Sequence, residues 1–78
     1  MNNEGKDTKT IGRLIAIIKH QNTVTIHLRS SQETIIEGLL DSFDSDGENI
    51  KILVISNQRG FRFINWDDVS FIEENISE

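Results

Sequence analysis

Apolar residues alternate with polar ones over several short stretches of this chain, and a two-residue period of that kind predicts β-strands with one face buried. Val24, Ile26 and Leu28 interleave with Thr23, Thr25, His27 and Arg29, which predicts a half-buried strand whose polar partners face out. Ser30, Ser31 and Gln32 then supply a turn. Thr34 to Phe43 reads as a long second strand containing Gly38, and a glycine inside a strand marks a bulge or bend of the kind that curls a sheet. Asp46-Gly47 is a hairpin signal. Asn49 to Ser56 forms a third strand, with Ile50, Ile52 and Val54 on one face and Leu53 and Ile55 on the other, so both faces are expected to be covered. A turn over Asn57 to Gly60, a fourth strand over Phe61 to Trp66 and a short fifth strand over Val69 to Glu73 complete the pattern.

The segment before these strands is ambiguous. Ile11, Leu14, Ile15 and Ile18 fall at helical spacing, while Ile11, Arg13, Ile15 and Ile17 alternate as a strand would. The richness in β-branched residues and the lack of a glycine stop after it lean towards strand. The period alone leaves helix and strand both open over residues 10–21. Residues 1–9 are polar and aperiodic and are expected to form a flexible tail, residues 10–74 one domain, and residues 75–78 an acidic end. Five short strands with tight turns at even spacing predict an all-β fold, a five-stranded SH3-like or OB-like barrel, with a short N-terminal helix as the alternative reading of the ambiguous segment.

Size changes the picture by limiting how such a barrel is stabilised. A chain of 78 residues supports one core, and domains this small usually lean on a disulfide, a metal or a partner subunit. There is no cysteine, and His20 and His27 alone make a poor metal set, so no cofactor or metal is expected and self-association is the remaining device. No apolar run is long enough to span a membrane and the N-terminus lacks the apolar core of a secretory leader, which points to a cytoplasmic protein without a membrane partner. The net charge of −5 is opposite to the basic footprint of a general nucleic-acid binder, so any polyanion must meet a local basic patch.

Candidate chemistry is sparse. Nucleophilic catalysis needs a base oriented beside the nucleophile, and nothing brings His20 or His27 to that role. Neighbouring strand residues point to opposite faces, so Asp67-Asp68 and Glu73-Glu74 do not converge on one atom; capping a turn and keeping an edge strand soluble suit them better. The glycines are scattered singly and form no phosphate cradle. A non-enzymatic protein is therefore expected. The most suggestive cluster is Arg59, Phe61, Arg62, Phe63, Asn65 and Trp66, because arginines mixed with aromatic rings stack on bases and neutralise phosphate; packing in the core or at an interface accounts for the rings equally well.

From Val24 to Ile72 the order of residues resembles the Sm-like family of small β-barrels, the Sm, Lsm and Hfq type. The resemblance rests on the strand VTIHL followed by Gly38, Leu40, Phe43, Asp44 and Asn49, and on a second half running Ile64, Asn65, Trp66, Asp67, Asp68, Val69, Ser70, Phe71, Ile72. It implies a barrel whose fourth and fifth strands pair edge to edge between subunits, and a base-binding pocket containing Asn49. Two departures stand out: Ser45, Asp46 and Gly47 offer no stacking face where the family carries one, and Asn65 stands where the family has an arginine. The fold is thus expected to carry over and the usual RNA pocket not to. The same frame is also similar to YolD-like barrels. Two functions follow as expectations. One is a homo-oligomer that binds a nucleotide, a short RNA or a protein segment, with Asn49, Arg59, Phe61, Arg62, Asn65 and Trp66 as ligand-binding candidates. The alternative is an acidic regulatory or inhibitory protein, of the phage-type kind, docking on a nucleic-acid-handling partner, since Glu33 to Glu78 is strongly acidic with Lys51, Arg59 and Arg62 its basic residues.

Overall fold

A computed structural model describes residues 4–29 and 35–76. A helix, α1 (Glu4–His20), is followed by five strands, β1 (Thr23–Leu28), β2 (Ile35–Asp46), β3 (Asn49–Asn57), β4 (Gly60–Asn65) and β5 (Val69–Asn75), with one 3-10 turn at Trp66–Asp68 between the last two. All pairings are antiparallel and the strand order is β4-β3-β2-β1-β5. The fold is therefore the expected five-stranded small β-architecture with an N-terminal helix. The sheet curls without closing: β4 and β5 stand at its two ends as edge strands.

The ambiguous segment is helix, because its helical face is the one that finds a core. Leu14 and Ile17 are buried, with Ile11 and Ile18 packed beside them, whereas Ile15 points to solvent. The helix also reaches back to Glu4, so residues 4–9 belong to it rather than to a tail. It ends without glycine: Gln21 takes the left-handed conformation at φ 58°. The Gln21 amide donates to the Ile18 carbonyl at 3.1 Å and the Asn22 amide to the Ile17 carbonyl at 3.3 Å, which closes the last turn as a glycine stop normally does.

At Gly38 of β2 there is no room for a side chain. A side chain there would bring a Cβ to 2.5 Å from the Ser56 carbonyl oxygen and 2.7 Å from Ile55 Cγ2, so only glycine lets β2 and β3 approach as they do. Two register shifts in the β2–β3 ladder, at Asp41 and at Lys51, then set which residues look inward. The first keeps both Leu40 and Phe43 on the core side, opposite Ile55 and Leu53. The second changes the phase of β3, so that Ile50, Leu53 and Ile55 are buried together while Ile52 and Val54 are half-buried on the outer side. This corrects the expected grouping of Ile50 with Ile52 and Val54; a strict two-residue period cannot express a bulge.

The interior is completed by Val24 and Ile26 of β1, Ile36 of β2, Ile64 of β4 and Val69 of β5. The hairpin at Asp46-Gly47 is as expected, with Gly47 at positive φ, and β2 runs to Asp46 rather than stopping at Phe43. Trp66 opens the 3-10 turn instead of ending β4, and β5 extends to Asn75, taking up the first residue of the expected acidic end. The expected turn at Ser30, Ser31 and Gln32, the start of the second strand at Thr34 and the last two residues of the acidic end lie outside the described residues.

Candidate binding and assembly surfaces

The six ligand-binding candidates divide among three places. Asn49, Asn65 and Trp66 line one shallow depression together with Ile52 and Asp67. They meet because β3 starts where β4 ends: Ile52 lies opposite Asn65 in the ladder, and Asn49 opens β3 just beyond. Arg59 sits in the β3–β4 turn, where its amide donates to Asn57 Oδ1 at 2.9 Å, and borders a different depression beside Gly38 and Asn57. The remaining two are on opposite sides of β4. Phe61 projects outward with Phe63 and Asn65, whereas Arg62 is half-buried on the core side with Ile64. Sequence adjacency had grouped Arg62 with the rings; the pleat separates them.

β4 carries its larger apolar groups on the wrong side for folding. Ile64 is 5% exposed, but Phe61 and Phe63 are 61% and 71% exposed. The other edge strand shows a similar inversion. Phe71 of β5 is 52% exposed, and its ring stacks on His27 of β1 with centroids 4.0 Å apart and an interplanar angle of 13°. His27 Nε2 also lies 3.0 Å from Glu73 Oε1. His27, expected to face out from its strand, does so as part of a small cluster assembled by the β1–β5 register, in which His27 and Phe71 are directly opposite. The polar side of β1 gave a hint of this, but only the strand pairing shows which residue it faces.

The paired glutamates behave as a strand requires. Glu73 points outward to His27, and Glu74 points the other way, accepting from Asn22 Nδ2 at 2.7 Å. Asp67 and Asp68 lie within the 3-10 turn, whose N-cap position is Asn65. Around Thr25, a polar group on a buried residue is satisfied by two side chains: Thr25 Oγ1 is 3.4 Å from Glu37 Oε2 and accepts from Asn75 Nδ2 at 3.1 Å.

A further cleft, missed by sequence reasoning, lies between α1, the 3-10 turn and β5. Its floor is Leu14, Ile17 and Val69, and Arg13 and Arg29 stand at its rim. Arg29 is tied down there, with its amide on the Asp68 carbonyl at 2.8 Å and its Nε on the Val69 carbonyl at 3.2 Å. Among the described residues no three His, Cys, Asp or Glu side chains group as a metal site would, and no helix is long and apolar enough to cross a membrane.

No protein-family model matches this chain, and no curated protein does.

Proposed function

We propose that this protein is a non-enzymatic, Sm-like binding module that assembles from copies of itself through β4 and β5. One observation carries the reading: the sheet is open, and the two strands at its ends differ in a complementary way. β4 carries Arg62 and follows Arg59, with no acidic residue between Asn57 and Trp66. β5 carries Glu73 and Glu74 and no basic residue. An open edge presents unpaired backbone groups, and joining the basic edge of one copy to the acidic edge of the next satisfies them. Such head-to-tail pairing uses two different surfaces of each copy, so it closes into a ring when the rotation between copies allows. The resemblance of Val24 to Ile72 to Sm-like chains supports the same arrangement.

The depression containing Asn49, Asn65 and Trp66 is the ligand site of this reading in each copy, for a nucleotide, a short RNA or a protein segment. The test is the mass by light scattering at micromolar concentration, with hydrogen exchange in the same buffer. A multiple of the single-chain mass is expected, with amides of β4 and β5 protected as well as those of β1 and β2. A single-chain mass with fast-exchanging edges ends the proposal.

A second reading draws on the β2–β3 hairpin, where Asp41, Asp44, Asp46 and Glu48 are all exposed. Those carboxylates suit an acidic protein that docks on a basic groove of a nucleic-acid-handling partner. Its binding must weaken steeply as ionic strength rises; salt-insensitive binding excludes it.

A further inference from the structure

Edge pairing covers the rim of a strand and leaves its face open, so it does not account for Phe61 and Phe63. Both rings project from the outer face of β4, where the register sets Phe63 opposite half-buried Val54, with Ile52 on the diagonal, and Phe61 opposite Ser56. When a sheet continues in its own plane from one chain to the next, the outer face of β4 runs on into the outer face of the neighbouring β5. The residue that β5 presents on that face is Phe71, stacked on His27. Each joint between copies therefore gathers exposed aromatic rings from two chains into one stripe, where a single chain has them at opposite ends of its sheet.

The charge around that stripe differs from the rest of the molecule. In a chain of net charge −5, the ten residues Asn57 to Trp66 include two arginines and no acid. Arg59, in the turn just before β4, is exposed, as is Lys51 on β3. The carboxylate that shares this face on β5, Glu73, is held against His27. Exposed rings two residues apart on a strand are separated by about 6.7 Å. Rings so placed beside a cation form a platform for the unpaired bases of a single strand, because every base offers a π-face and its backbone a phosphate.

Resting on the edge-to-edge assembly above, we propose that Phe61 and Phe63 of one copy and Phe71 of the next form a composite platform on which bases of a single-stranded nucleic acid stack, with Arg59 meeting its phosphates. The site is distinct from the depression around Asn49, and it is complete only where two copies join. A duplex, whose bases are already stacked and paired, has no faces to offer it.

The experiment is fluorescence anisotropy with a labelled single strand of about 16 nucleotides of mixed sequence, and with its duplex, alongside light scattering on the same samples. The wild-type chain is expected to bind the single strand at least tenfold more tightly than the duplex. Phe63→Leu keeps apolar bulk while removing the ring, and is expected to weaken binding about tenfold with the mass unchanged; Phe71→Leu is expected to do the same from the other side of the joint. Arg59→Gln is expected to lower the slope of log affinity against log salt by about 0.7. An assembled wild type that ignores the single strand, equal affinity for strand and duplex, or wild-type binding by both leucine variants overturns the platform and leaves the assembly standing. A wild type that runs as a single chain overturns the assembly and the composite site with it.

Discussion

β3 and β4 are neighbours in one sheet, both alternate in hydrophobicity, and they use that alternation for opposite ends. In β3 the buried residues are Ile50, Leu53 and Ile55, and the outer positions are half-buried. In β4 only Ile64 is buried, while two phenylalanines with far more apolar surface look outward. The difference lies in what each strand has beside it. β3 is flanked by β2 and β4, and its inner face meets α1 and the other strands; β4 has a neighbour on one side only. Apolar residues in a central strand are there for folding. On an edge strand the same residue types are available for something outside the chain.

That contrast is open to attack by mutation, starting where the largest effect is expected. Leu53→Ala removes a fully buried side chain from the centre of the core and should lower unfolding free energy by about 3 kcal/mol in a urea titration. Gly38→Ala should cost nearly as much, about 2 kcal/mol or more, by forcing β2 away from the Ser56 carbonyl. If Gly38→Ala were neutral, the close approach of the Ser56 carbonyl would not be what requires glycine there. His27→Ala, which removes the ring stacked on Phe71 and the contact with Glu73, is expected to cost about 1 kcal/mol. Gln21→Gly should stabilise the protein by about 0.5–1 kcal/mol, raising the urea midpoint, since glycine holds the left-handed conformation without a Cβ penalty.

The smallest effect on folding is the most pointed. Phe63→Ser, measured on a chain kept dilute enough to be monomeric, should change stability by no more than about 0.5 kcal/mol, because the ring has little of its own chain to pack against. A loss of several kcal/mol there would make β4 a folding strand like β3 and dissolve the comparison.

Much of the fold was legible in the residues because strand formation depends on a local period. Val24, Ile26 and the Asp46-Gly47 turn could be read directly, and so could the presence of five strands. The helix was only half legible, since its stop is Gln21 rather than glycine and its isoleucines suit either period. The candidate site was legible in type and not in grouping. Asn49, Asn65 and Trp66 come together, Arg59 borders another depression, and Arg62 turns away from Phe61 and Phe63.

The amino-acid order by itself determined that this is a small, acidic, cysteine-free β-protein with a glycine inside its second strand and a basic, aromatic stretch near its fourth. These are properties of composition and of nearest neighbours along the chain. Tertiary structure decided which faces are buried, because the bulges at Asp41 and Lys51 change the phase of a strand through its pairing with another. It also decided that His27 meets Phe71 across 44 positions of sequence and that β4 and β5 remain at the edges. Contacts of that kind depend on which strands lie side by side, and no local pattern of residues encodes it.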